Sequence, residues 1–302
     1  MEKDILLLYN PRAGDTFFQF EIDRFLRVFG EMHCPIRIFQ SQAPGDMTTC
    51  LERIRMDELS MIIVAGGDGT FSEVLQSVMK GAVSVPIGLI PAGTSNNIAQ
   101  YLGMPDRYDQ CFEVLFKRNL AMFDVGEVNG HYFLSRCCYG SMARAFYTTK
   151  QEYKNTFGKM AYSYRAMRLR GDTESFDLRI TTPQGVFEDS FVYFLVVNGS
   201  GSKMDSSFSV EDTKENALEF IGIRNVSPRA NKRMLKKVLR RIPKQHKSIL
   251  RLTANEIYVE RIGDNAMLPF AVDGEEGPTA PFRFSLHSKA LTVISNTTEN
   301  EM

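Results

Sequence analysis

The first half of the chain alternates short apolar runs with amphipathic segments. The apolar runs lie at residues 5–9, 61–64 and 87–90, and each ends in a polar or glycine-containing turn. Residues 35–39, which include Arg37, are predicted to form a further strand. Between them, apolar residues recur at helical spacing at residues 17–29, 46–56 and 71–80. Strands without polar alternation are typical of a sheet covered on both faces, so we predict a parallel sheet with helices on both sides.

Near residue 124 the pattern changes to short segments with polar and apolar alternation. We predict antiparallel strands at residues 131–134, 176–180, 191–197, 256–260, 270–272 and 291–294, and helices at residues 154–170 and 228–242. The chain is therefore predicted to contain an α/β domain at residues 1–127 and a β-rich domain at residues 128–288.

Three of the first strands end in turns that could bind phosphate. Residues 66–70 carry three glycines, which let the backbone approach a phosphate, and a predicted helix follows with its amide donors exposed. Asn10 and Thr94 follow two other strands, and the carboxyl ends of such strands bind ligands. A carboxylate at Asp68 would repel a bare phosphate, so its presence is explained if it holds Mg²⁺ or takes a proton from an attacking hydroxyl. The alternative is that Asp68 is a helix cap. Thr94 or Ser95 is predicted to cap the helix that runs to Tyr101.

Composition narrows the class of protein. The 302 residues are 43% hydrophobic and carry 36 basic and 36 acidic side chains, so no global field favours nucleic acid. The five cysteines lack metal-ligand spacing, and Cys137 and Cys138 are interpreted as strand packing. The N-terminus has no signal-peptide pattern and no apolar run reaches transmembrane length, so a cytoplasmic protein is expected.

The predicted helix at residues 228–242 separates apolar residues from Lys and Arg. Such a helix can lie on anionic lipid headgroups. An ordinary surface helix whose basic face is solvated is the alternative.

Taken together, these motifs resemble the diacylglycerol kinase catalytic-domain family, in particular its soluble bacterial lipid kinases. The motifs are Asn10-Pro11 with Gly14, residues 66–70 with Glu73, residues 91–97, Asp124, Asn129-Gly130 with Phe133, and Asp273-Gly274-Glu275. The resemblance implies a nucleotide-binding α/β domain, like those of phosphofructokinases and NAD kinases, and a β-sandwich lipid-substrate domain, with the active site in the cleft between them. The tail at residues 289–302 is expected to pack back on the first domain.

The resemblance also implies residue roles. Asp68 and Asp124 would belong to an acidic network around Mg²⁺, and Glu275 would be the general base on the lipid hydroxyl. The implied ATP contacts are Asn10, Gly66, Gly67, Asp68, Gly69, Thr70, Phe71, Ser72 and Thr94. The expected activity is ATP-dependent transfer of the γ-phosphoryl group to a diacylglycerol-like lipid, reached at the cytoplasmic surface of the membrane.

Two departures from the family pattern keep alternatives open. Asn97 stands where the family commonly carries aspartate, and Asn216 stands at the carboxylate position of a structural Mg²⁺ site, which is expected to be weak or lost. A nucleotide- or lipid-sensing protein without catalysis is one alternative, and a kinase of a soluble polyol or dinucleotide is another. The sequence leaves the oligomeric state open, a homodimer included.

Overall fold

The chain divides into two compact units. One contains residues up to Phe123 together with those from Lys289 onward, and the other contains Asp124–Ser288. The computed structural model describes residues 3–14, 16–81, 85–94, 96–140, 143, 174–200, 210, 213–238, 242–263 and 268–296. The predicted helix at residues 154–170 lies outside this described part.

The first unit contains the predicted parallel sheet. Its strands are β1 Asp4–Tyr9, β2 Ile36–Gln40, β3 Leu59–Gly66 and β4 Ile87–Pro91. They lie in the order β2-β1-β3-β4, and each neighbouring pair is parallel. Beyond β4, Val293 pairs in parallel with Ile87, so the end of the chain extends this sheet. The core strands β1, β3 and β4 are almost entirely buried, as their uniformly apolar sequences predict.

Helices connect these strands. They are α1 Ile22–Gly30, α2 Asp46–Arg53, α3 Asp68–Gly81, α4 Asn97–Tyr101 and α5 Tyr108–Lys117, with 3-10 helices at Phe17–Glu21 and Met56–Glu58. Helix α3 begins at Asp68, three residues before the predicted start, and the predicted helix at residues 17–29 is split by its 3-10 segment. Helix α5 was missed, although its buried Cys111, Phe112, Val114 and Leu115 follow helical spacing.

The second unit contains antiparallel strands, as predicted. They are β5 Leu120–Val128, which enters from the first unit, β6 His131–Phe133, β7 Arg136–Tyr139, β8 Phe176–Thr182, β9 Gly185–Asn198, β10 Leu218–Arg224, β11 Ile249–Ala254, β12 Glu256–Ile262, β13 Phe270–Val272, β14 Glu275–Glu276 and β15 Phe282–Ile294. Strand β15 is far longer than the predicted strand at residues 291–294. Its first half pairs with β12, and Phe282, Phe284 and Leu286 alternate there with polar residues, a strand pattern that the prediction missed.

Strand β9 organises the second unit because both faces of its second half are buried. It pairs with β8 through its first half and with β7 and β10 through its second half. Alternate side chains point to opposite faces of a strand. Phe194 and Val196 therefore join one apolar cluster, while Tyr193 and Leu195 join another.

Helix α6, Pro228–Val238, covers one of these clusters. Its buried Met234, Leu235 and Val238 pack with Ile221 and Ile223 of β10. The helix is shorter than predicted, since Ile242 forms an isolated bridge with Val210 rather than a helical turn.

Two phenylalanines near α1 provide a test of this fold. Phe25 is fully buried and stacks on Phe29, whereas Phe20 is 74% exposed. We expect Phe25→Ala to lower the free energy of unfolding by about 3–5 kcal/mol through loss of burial and a cavity. The matched Phe20→Ala variant should change it by no more than about 0.5 kcal/mol. Urea denaturation of both variants measures the difference, and equal losses would contradict the assigned helix face.

Candidate active site

The turns after β1, β3 and β4 meet at the carboxyl edge of the parallel sheet. A Cβ atom on Gly67 would lie 3.1 Å from the Cα of Gly93, and one on Gly93 would collide with Gly67. Gly14, at φ +54°, packs equally closely on the backbone of Ala92. These glycines are required because backbone lies directly against backbone, which a side chain would prevent.

Asn10 joins the turn after β1 to the turn after β3. Its Oδ1 accepts a hydrogen bond from the amide of Arg12 at 2.9 Å, which shapes its own turn. Its Nδ2 lies 3.4 Å from Oγ1 of Thr70, and the side chain of Thr70 fills the space beside Gly66 where a Cβ would lie. The structure thus brings Asn10 together with residues 66–70, which the sequence separates by more than fifty positions.

The N-terminus of α3 supplies the amide donors of this region. The first hydrogen bond into the helix runs from the amide of Phe71 to the carbonyl of Gly67 at 3.1 Å. The amides of Asp68, Gly69 and Thr70 precede that bond, so they have no acceptor within the helix. Phe71 is fully buried. Among the implied ATP contacts, residues 68–70 therefore offer donors to an anion, while Phe71 serves packing.

Asp68 is the first residue of α3, and its carboxylate points to a different helix. Its Oδ1 accepts the amide of Ile98 at 3.1 Å, and Nδ2 of Asn97 lies 3.4 Å from its Oδ2. It therefore caps the start of α4. The predicted cap by Thr94 is wrong, since Asn96 in the left-handed region precedes α4 and bonds to Gly93, and Thr94 is exposed; Ser95 lies outside the described residues.

Glu73, one of the motif residues, has a comparable structural role. Its Oε1 accepts the amides of Met47 at 3.0 Å and Thr48 at 3.2 Å. Those amides belong to the first turn of α2, where the helix dipole favours a negative charge.

Asp124 is buried in β5 of the second unit, with 4% of its surface exposed. Its Oδ2 accepts the hydroxyl of Ser200 at 2.6 Å, and its backbone carbonyl accepts Nδ2 of Asn198 at 2.8 Å. The sequence analysis gave neither partner a role. Asn198 is fully buried, and its Oδ1 has no hydrogen-bond partner. A buried carboxylate beside an unsatisfied amide oxygen is a donor set that suits a hard cation or an ordered water.

Glu275 lies in β14 and is exposed, next to a tightly held turn. The carboxylate of Asp273 accepts the amides of Leu134 at 2.7 Å, Ser135 at 3.0 Å and Arg136 at 2.8 Å. Asp273 and Gly274 both have positive φ, at 45° and 83°. Three charge-assisted bonds therefore fix the turn that presents Glu275.

Asn216 is exposed in a turn and has a φ of 56°. Behind it, Gly199 packs directly on the backbone carbonyl of Lys214 and donates its amide to the carbonyl of Ala217 at 3.0 Å. Within the described ranges, no group of three or more His, Cys, Asp or Glu side chains is arranged to hold a metal.

The two adjacent cysteines are packing residues, as interpreted from the sequence. Cys137 and Cys138 are buried in β7 and are not disulfide-bonded. Burial raises the pKa of Cys138 to about 11 and raises that of Cys137 as well. Both thiols are therefore protonated at neutral pH, which makes them poor nucleophiles.

Comparison with known proteins identifies relatives of this chain. Residues 4–128 match the family model of the diacylglycerol kinase catalytic domain. A diacylglycerol kinase of Staphylococcus carnosus (strain TM300) is 28% identical over 196 residues, which are 65% of this chain and 64% of that protein. A diacylglycerol kinase of Staphylococcus aureus (strain JH9) is 24% identical over 307 residues, covering 98% of this chain and 93% of the relative.

Solved structures show the same fold. Two crystal structures from Bacillus anthracis (strain Sterne) superimpose with TM-scores of 0.78 and 0.73, at identities of 24% and 21%. Each covers 98% of this chain, with 98% and 97% of the other chain covered, and the second is that of a diacylglycerol kinase. Residues 4–128 therefore belong to the diacylglycerol kinase catalytic-domain family, and the chain is similar to a diacylglycerol kinase over nearly its whole length.

Proposed function

We propose that this chain is an ATP-dependent lipid kinase that transfers the γ-phosphoryl group of ATP to a hydroxyl of a diacylglycerol-like lipid. Family membership supports kinase activity. The observation that carries the proposal is the meeting of three strand-end turns beside the free amides of α3. Amides at a helix N-terminus bind phosphate oxygens, and phosphoryl transfer depends chiefly on positioning and charge neutralisation.

Residues of both units would take part. Asn10, Gly67 and the amides of residues 68–70 would bind the ATP phosphates, with Gly66 and Thr94 beside them. Asp68 and Asp124 would hold Mg²⁺, which neutralises charge on the phosphates. Glu275 would accept the proton of the lipid hydroxyl, and the three bonds to Asp273 would keep its turn in place. The acceptor would be taken from the cytoplasmic surface of a membrane, because a diacylglycerol-like lipid resides in a bilayer.

A transfer assay tests the proposal. Purified protein is incubated with γ-labelled ATP, Mg²⁺ and mixed micelles that contain a diacylglycerol, a monoacylglycerol or a long-chain amino alcohol. Soluble polyols and a dinucleotide are the comparison acceptors. Label in a lipid supports the proposal. Label only in a soluble acceptor, or ATP binding without transfer to any acceptor, would overturn it.

Adjacent glutamates in β14 provide a matched pair for the base. Glu275→Gln should lower kcat by about 10²- to 10⁴-fold, because the amide cannot accept the hydroxyl proton. The KM for ATP should stay within about twofold, since the base acts on the acceptor. Glu276→Gln, an equally exposed neighbour, should retain near-normal kcat. Steady-state kinetics on the lipid acceptor measure both variants, and equal losses of kcat would contradict the role of Glu275 as the base.

Asn97 tests whether Asp68 holds a metal. Asn97→Asp would replace the amide 3.4 Å from Asp68 with a second carboxylate. Repulsion between the two carboxylates should lower the Tm of the variant without Mg²⁺. Added Mg²⁺ should raise the Tm of both proteins, and the midpoint of that rise should lie at an Mg²⁺ concentration about tenfold lower for the variant than for the wild type. Asp68→Asn should remove the Mg²⁺-dependent rise in Tm. Thermal unfolding across a Mg²⁺ titration gives the result; Tm values independent of Mg²⁺ in the wild type and in Asn97→Asp would exclude Asp68 as a ligand.

A further inference from the structure

The segment that contains α6 concentrates positive charge in a chain of zero net charge. Residues 220–255 contain no Asp or Glu. They contain eleven of the 36 basic residues, namely Arg224, Arg229, Lys232, Arg233, Lys236, Lys237, Arg240, Arg241, Lys244, Lys247 and Arg251.

Two of these cations are used inside the fold. Arg224 pairs with Asp189 at 2.6 Å, and Arg251 forms a two-bond pair with Glu219 at 2.6 and 2.8 Å. Five on α6 are different, because they are exposed and form no ion pair with any residue in the described part of the chain. We call this set the α6 basic face; it consists of Arg229, Lys232, Arg233, Lys236 and Lys237.

The direction of this face follows from the packing of the helix. Met234, Leu235 and Val238 lie against β10, and Ile249 joins the same apolar cluster. The opposite side of α6 therefore points to solvent. Lys247, beyond the helix, is exposed as well and lines a shallow pocket of about 430 Å³ together with Gln245 and His246.

Helix stability explains only two of these five charges, since Lys236 and Lys237 lie in the last turn, where the helix dipole favours cations. Lys232 and Lys236 are four residues apart, as are Arg229 and Arg233, and like charges at that spacing destabilise a helix. The first turn contains no acidic residue, although the helix dipole favours one there. A cost to the helix without a compensating partner among the described residues favours a partner outside the protein.

We propose that the α6 basic face docks on the surface of a bilayer that contains anionic phospholipids. A planar array of phosphates complements a row of exposed cations on a helix. Val226, which is 60% exposed immediately before α6, adds an apolar side chain at the edge of this face. The inference rests on the proposed function, because a kinase that takes its acceptor from a bilayer must bind that surface.

Charge reversal on the helix tests the docking. Lys232→Glu/Lys236→Glu preserves like charges four residues apart, so the repulsion within the helix is unchanged. The control is Lys80→Glu/Lys117→Glu, which makes the same change in net charge at exposed lysines of α3 and α5. Co-sedimentation with vesicles of equal phosphatidylglycerol and phosphatidylcholine measures binding, and pure phosphatidylcholine vesicles show the uncharged background.

We expect the α6 double variant to bind the anionic vesicles at least about tenfold more weakly, and the control to stay within about twofold of the wild type. High salt should weaken wild-type binding by screening the same charges. Lys232→Gln/Lys236→Gln, in which both substitutes are good helix formers, should show an intermediate loss if the reversed variant proves unstable. Equal losses in the α6 and control variants, or no loss in either, would overturn the proposal.

Two further measurements separate this inference from its alternatives. If the wild type binds duplex DNA more tightly than the anionic vesicles at equal phosphate concentration, the α6 basic face serves nucleic acid and the proposal is wrong. Transfer to a short-chain diacylglycerol dissolved as monomers requires no docking. If transfer to this acceptor is normal but vesicle binding does not respond to the substitutions, the docking proposal is wrong and the kinase proposal stands. If vesicle binding responds as expected but no phosphoryl group is transferred, the kinase proposal is wrong.

Discussion

Direct contact between the backbones of Gly67 and Gly93 is the constraint on which the carboxyl edge of the parallel sheet depends. Because neither residue has a side chain, the turns after β3 and β4 close on each other and bring the start of α3 beside Asn10. Any Cβ at these positions would force the two strands apart, and the sheet register fixes how far they can move. The same contact therefore determines the packing of the sheet edge and the position of the free amides.

Three carboxylates of the motif residues accept hydrogen bonds from backbone amides. Asp68 caps α4, Glu73 caps α2, and Asp273 holds three amides of the loop before β7. Each accepts hydrogen bonds from backbone amides, which hold the carboxylate in place. Rigid negative charges at defined positions are what a phosphoryl-transfer site needs. Structural and chemical roles are thus compatible in this protein, and substitutions at these residues test both together.

In the second unit, basic side chains near the sheet differ from those on the outer side of α6. Cations that lie near the sheet are paired, as with Arg251 and Glu219, where loss of one partner would leave a buried charge. Cations on the outer side of α6 have no such partner among the described residues. This contrast between paired inner and unpaired outer cations is the physical basis of the proposed docking of α6 on a bilayer.

The sequence by itself predicted the parallel strands of the first unit, the antiparallel character of the second and the order of the motifs. Apolar runs such as residues 61–64 predicted buried parallel strands, because burial on both faces leaves no room for alternation. The sequence could not determine which groups, distant along the chain, would contact each other. Ser200 and Asn198 beside Asp124, and Asp68 at the start of α4, depend on strand pairing and loop packing across long sequence separations. Strand β15 shows the same limit. The alternation of Phe282, Phe284 and Leu286 with polar residues is a local strand signal, but it contains no record of the partners β12 and β4, which only the tertiary fold supplies.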